Sequence, residues 1–189
     1  MPPALDDAPT AADLDFQPLT PDRWDDLATL FGKQGAYSGC WCMWWRLAGP
    51  SYQESTSQER QASFHAVVND GPVPGLLAYR EGHPVGWCAI APRSEFPRLA
   101  RSRYWQTLDA APVWSIVCFY ISRQQRGQGV ATRLLGAAVA HATAQGAQII
   151  EAYPKEPADR LPIPRSTPAP PRCSARLASR KSPVATPCA

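Results

Sequence analysis

The stretch PVWSIVCFYISRQQRGQGVATRLL, residues 112–135, restricts the fold more than any other part of the chain. VWSIVCFYI is an almost unbroken apolar run of strand length, as a buried central strand requires. After it, Val130, Leu134, Leu135, Ala138, Val139 and Ala142 recur at helical spacing, and Gly146 ends that helix. QIIEAY then reads as one more strand. A strand–helix–strand unit of this kind favours a right-handed parallel crossover. That topology puts RQQRGQG at the C-terminal end of a strand and the N-terminus of a helix. Unpaired backbone N–H groups meet the positive end of the helix there, so the loop suits an anion. Gly127 and Gly129 remove side chains that would block close approach, and Arg126 adds charge. The competing reading is a plain glycine-containing connection.

The rest of the folded part mixes helices and strands. Leu14 to Leu19 alternate like a short strand. TPDRWDDLATLFG reads as a helix: Thr20 for the cap, Pro21 in the first turn, Asp22, Asp25 and Asp26 near the positive end, Gly32 as the stop. SYQESTSQERQASFHAVVNDG reads as a second helix ending at Gly71. GLLAYREGHPVGWCAIAPR reads as a hairpin of Leu76–Arg80 and Val85–Ala91, turning at Glu81-Gly82. The expected class is α/β, more narrowly an α+β arrangement on a mixed sheet. No internal repeat is found.

Composition bounds the function. The 189 residues are 44% hydrophobic, enough for one globular domain with a core. No apolar run reaches the ~18 residues that span a bilayer, so no membrane partner is expected. The start, MPPALDDAPTAADLD, has no basic region followed by an apolar stretch, which argues against a signal peptide. The default compartment is therefore the cytoplasm, with the six cysteines reduced. Charge is uneven: residues 152–189 carry a net +5, leaving −2 on residues 1–151. That tail also holds nine of the 21 prolines, a linker-like composition. Its arginines lack interleaved aromatics, so nucleic acid is not an expected partner. The expected layout is a loose leader over 1–12, a folded domain over 13–153 and an unstructured tail over 154–189.

The identity of the anion follows from comparing loops. A nucleotide-binding P-loop needs G-x-x-x-x-G-K-[ST], and the lysine is missing. A dinucleotide site needs G-x-G-x-x-G immediately after the strand, with an acid about 20 residues on. Here Thr132 stands where the third glycine belongs and the glycines come late, although Glu151 ends the next strand. Arg126-Gly127-Gln128-Gly129-Val130-Ala131 fits a third pattern, [QR]-x-x-G-x-[GA]. With the preceding strand, the following helix and the earlier element order, residues 14–153 resemble the GNAT superfamily of N-acetyltransferases. GCWCMWWR, VGWCAIAPRSEFPRL and PVWSIVCFYI look like a bacterial subgroup of it.

The resemblance implies a GNAT-like acyl-CoA acyltransferase fold, acetyl-CoA as cosubstrate and an amine acceptor of unstated identity; a homodimer is an open option. Backbone N–H groups from Arg126, Gly127, Gln128, Gly129, Val130 and Ala131, with Thr132 at the helix start, would hold the pyrophosphate. In the family the preceding strand splays from the next and pairs with the pantetheine arm. By position that role falls to Phe119, Tyr120 and Ile121, with the acetyl carbonyl near the amide of Phe119 or Tyr120. The amine attacks directly. Glu151 is the candidate base through a water, Tyr153 the candidate acid, and Tyr120 lies on the near side. The other reading makes Glu151 a solvated strand-end charge and both tyrosines core packing. Cys118, in mid-strand, reads as a small core residue. The competing functional class is an acetyl-CoA-binding module without turnover.

Three features stay open. Cys40 and Cys42 form one C-x-C with no second pair, a weak case for zinc, and no metal is expected. Trp41, Trp44 and Trp45 suit either a core cluster or a wall of the acceptor pocket. Arg93, Glu95 and Arg98 read as a solvated loop within reach of an acceptor. The family also continues past Ile149 with another helix and two strands, whereas here the text is IPRSTPAPPRCSARLASRKSPVATPCA. Such a composition is common when a GC-rich gene is read out of frame. Shifted by one base, PRCSARLASRKSPVAT can read Ser-Met-Phe-Arg-Ala-Ala-Gly-Phe-Thr-Glu-Val-Ala-Arg-Arg-Asp, close to the family's usual ending. On that expectation the last helix and strands are missing; the alternative is a natural disordered tail.

Overall fold

The computed structural model of the chain describes residues 14–101 and 111–153. The expected leader and tail, and with them the frameshift reading, lie outside the described residues. Five strands form one sheet in the order β1-β2-β3-β4-β5: β1 Asp15–Pro18, β2 Gly75–Arg80, β3 His83–Pro92, β4 Val113–Ile121 and β5 Ile149–Ala152. The first three junctions are antiparallel and β4·β5 is parallel. The mixed sheet and the parallel crossover through helix α5, Val130–Ala144, are those the sequence implies.

Alternation along the strands sorts the core onto two faces. Leu77, Tyr79, Trp87 and Ala89 face helices α1 (Trp24–Phe31) and α3 (Ser57–Asp70), meeting Leu27, Leu30, Phe31, Phe64 and Val68. Leu76, Ala78, Cys88, Ile90 and Ile116 face α5, whose Val130, Leu134, Ala138 and Ala142 form a buried stripe four residues apart. A small third cluster, Ala91, Phe96 and Leu99, gathers Trp45, Val117 and Tyr153 at the end of the sheet.

Two elements differ from their expected form. The first helix begins as a 3₁₀ turn, Pro21–Arg23, before α1. Thr20 makes no side-chain cap; its hydroxyl instead accepts from Arg23 Nη1 at 2.7 Å. The second helix is two, α2 (Gly49–Glu54) and α3. The break falls at Ser55 and Thr56, both extended, because Thr56 and Glu59 form a reciprocal capping box that starts α3 afresh. A short helix α4, Pro97–Ala100, follows β3.

Candidate functional site

The glycine loop has the geometry of an anion cradle. Gly127 and Gly129 have φ of +76° and +75°, a left-handed backbone that favours glycine, and a Cβ on either would meet nothing within 4 Å. Gly129 is the N-cap of α5. The first helical bond runs from Arg133 N–H to Gly129 O, so the N–H groups of Val130, Ala131 and Thr132 precede it without an intrahelical acceptor. Arg126 folds back and donates from Nε to the carbonyl of Ile121 at 3.0 Å, tying the loop to the strand end. Arg80, at the end of β2, donates to the side chains of both Gln125 and Gln128. Nothing in the sequence signals that brace.

The resemblance expects the strand before the loop to part from the next one after the middle of β4. Among the described residues Val113–Ile116 of β4 pair with β5, Ile116 opposite Ala152. At the next residue β4 carries a bulge: Cys118 pairs with Ala89 and Ile116 with Ile90, leaving Val117 as the extra residue. Bulges bend a strand and break its ladder, and this one follows directly on the last described β4·β5 pair. Beyond it the strand is no longer the fully buried run its apolar composition suggests; Phe119 is 38% exposed. Ser122 N–H bonds Val85 O on the β3 side. Backbone groups alternate sides along a strand, so Ile121 and Phe119 turn theirs away from β3, the Ile121 carbonyl accepting from Arg126, and Tyr120 turns its own to β3. Of the two candidate amides, that of Phe119 points away from β3. The Tyr120 ring packs edge-on against Phe31, centroids 5.5 Å apart, on the α1 face.

Glu151 and Tyr153 are brought together, and Tyr120 is not among their partners. Glu151 stands opposite Ser115 in register and accepts from its hydroxyl at 2.5 Å. The Arg93 guanidinium donates to the same carboxylate oxygen and to Tyr153 Oη, the latter at 2.7 Å. With side chains 25% and 11% exposed, Glu151 and Arg93 are not the solvated groups that a strand-end or loop reading makes of them. Burial pushes the Tyr153 phenol up and the Glu151 carboxylate adds to the rise, so the hydroxyl keeps its proton through the neutral range. Sequence reasoning missed Ser115, completely buried; its one signal is a lone hydroxyl inside VWSIVCFYI.

The tryptophans of GCWCMWWR have different surroundings. Trp41 is core: its indole stacks on Trp24 at 6.0 Å, and a Cβ on Gly35 would lie 2.1 Å from its Nε1. Cys42 accepts from Trp87 Nε1 at 3.1 Å, and its thiol is pushed well up by Cys118 and by burial. Cys118 packs against the same core. Among the described residues no three of His, Cys, Asp and Glu are placed to hold a metal ion. Trp45, by contrast, stacks on Tyr153 at 6.3 Å, in the cluster that includes the bulge residue Val117. Trp44 stands edge-on to Tyr52 at 5.0 Å. Glu95 pairs with the buried Arg46 at 3.2 Å.

No helix among the described residues is long and apolar enough to cross a membrane. Comparison with curated proteins returned no match. Solved structures give the same fold at low identity. An aminoglycoside N-acetyltransferase AAC(6')-Iy in complex with CoA is 14% identical with a TM-score of 0.52, over 78% of this chain and 81% of that one. An aminoglycoside acetyltransferase from an uncultured soil metagenomic sample is 17% identical at 0.50, over 77% and 82%. An integron cassette protein from the mobile metagenome of V. cholerae is 11% identical at 0.51, over 77% of each. The profile of the acetyltransferase (GNAT) family matches residues 41–161, and those residues include the bulged strand, the glycine loop and the helix it opens. On that match the chain belongs to the GNAT acetyltransferase family, acyltransferases whose cosubstrate is acetyl-CoA.

Proposed function

We propose that the protein moves the acetyl group of acetyl-CoA to a primary amine, on a small molecule or a protein, by direct attack. The observation that carries this reading is the coincidence of three features: the end of β4·β5 pairing at Ile116, the bulge at Val117, and the open glycine loop that follows the same strand. Together they offer a strand edge that has no partner strand among the described residues and leads into an anion cradle. Bound there, acetyl-CoA supplies an activated thioester. Arg126 to Thr132 hold the pyrophosphate with backbone N–H groups. Phe119 and Ile121 pair with the pantetheine amides, and the Phe119 N–H faces the carbonyl where negative charge develops. Tyr153, kept protonated beside the splay, is placed to return a proton to the departing thiolate. Glu151 takes the amine's proton through a water, its carboxylate oriented by Ser115 and Arg93.

A second reading is binding without turnover. The engagement of Glu151 favours it, because the carboxylate oxygen already accepts from both Arg93 and the Ser115 hydroxyl. Calorimetric titration with acetyl-CoA, followed by CoA-thiol release across an amine panel, separates the two. Binding with release supports transfer. Binding without release for any amine leaves the binding module, and no binding overturns both.

A further inference from the structure

Three arginines are linked to the Trp45–Tyr153 stack beside the splay, and two of them carry carboxylates. Arg93 donates to Tyr153 Oη and is paired with Glu151. Arg46, next to Trp45 in the chain, is paired with Glu95 at 3.2 Å. Arg98 joins the group through its own N–H, which reaches Trp45 O at 3.4 Å. Yet Arg98 has no carboxylate partner among the described residues.

Its setting is nevertheless fixed. The guanidinium lies 3.9 Å from the Trp44 ring centroid and 5.7 Å from that of Tyr52. Nε donates to Leu47 O at 2.8 Å, while neither terminal nitrogen makes a hydrogen bond among the described residues. The side edge of the fork is thus used up and the end edge is available. Aromatic stacking orients a guanidinium without neutralising it, and the end edge matches a carboxylate bidentately. Burial lowers the Arg98 pKa, as it does for Arg46, but only Arg46 has a carboxylate to offset the cost.

We propose that Arg98 recognises a carboxylate on the acceptor, so that the acceptor class is amines that also carry a carboxylate, with the amine at the splay and the carboxylate on the end edge of Arg98. This rests on the amine-acetyltransferase reading above. Free amino acids and short peptides share the chemistry, and the assay tells them apart.

The test is CoA release with ω-amino acids of increasing length, from glycine to 6-aminohexanoate, each against its carboxamide and the alkylamine of equal length. Diglycine and triglycine form the peptide arm. A charge-assisted bidentate contact predicts that the best carboxylate-bearing amine exceeds its carboxamide by about tenfold or more in kcat/KM, through KM. In Arg98→Gln the preference collapses while acetyl-CoA affinity is unchanged. Arg98→Lys, which keeps charge but not the fork, retains part of it and serves if the glutamine variant does not fold. A best substrate among the peptides assigns the peptide source. Equal use of acids and carboxamides by the unaltered protein, or a preference that survives in Arg98→Gln, overturns the assignment and leaves amine acetylation standing. Bound acetyl-CoA with no release from any amine overturns the amine reading and this one with it.

Discussion

Gly129 separates two properties of the loop that act together in the native chain. Its φ of +75° suits glycine, and the space around its Cβ position is empty. Gly129→Ala therefore adds backbone strain without a clash, on the order of 1–2 kcal/mol. Gly129→Asp adds the same strain and also a carboxylate at the proposed pyrophosphate. The expected result is a further loss of acetyl-CoA affinity of about tenfold or more, roughly 1.4 kcal/mol, beyond the alanine variant. Equal affinities of the two folded variants, measured by titration, would remove the phosphate from this loop. His141 illustrates the same scale for stability. Burial holds its imidazole below the ordinary 6.5, Nε2 has no hydrogen-bond partner among the described residues, and the ring meets Trp114 edge-on at 6.0 Å. A depressed folded pKa means protonation favours the unfolded chain. The contribution is present above pH ~6.5 and is lost as pH falls through the lower folded value. His141→Phe should flatten the fall of melting temperature between pH 7 and pH 5; parallel curves for both proteins would contradict this.

Among elements, β4 does the most. Because Ile121 turns its N–H away from β3, Ile121→Pro deletes that N–H without removing a bond to β3. Acetyl-CoA binding should weaken more than the variant's loss of stability explains, and a folded variant that binds normally would exclude this register. The strand itself, the helix after it and the glycine loop were all legible, because length, apolar run and helical spacing are local signals. The bulge was not. It depends on the pairing of β4 with Ala89 and Ile90, and no residue in IVCFY announces which position is extra. The division of α2 from α3 was written in the sequence as Thr56-x-x-Glu59, but continuous helical composition on both sides masked it. Arg93 and Arg98 were visible only as charges after a strand. Their burial and partners come from segments 40 to 60 residues away, such as Trp44, Leu47 and Glu151.

On the scale of the whole molecule, ligand linkage gives a simple expectation. A ligand that binds only the folded chain at 100 times its Kd adds about 2.7 kcal/mol. For a protein of this size that raises the melting temperature by about 5–10 °C, and acetyl-CoA should do so where equimolar pyrophosphate does less. We propose more specifically that the β4 edge beyond the Val117 bulge is the pantetheine site, continuous with the loop at Gly127–Thr132. Amide hydrogen exchange with and without saturating acetyl-CoA tests it directly. Phe119 and Ile121 should slow, together with the loop and the first turn of α5, while Val113–Ile116, already paired with β5, should not change. Saturating binding with no added protection at Phe119 and Ile121 would contradict the account.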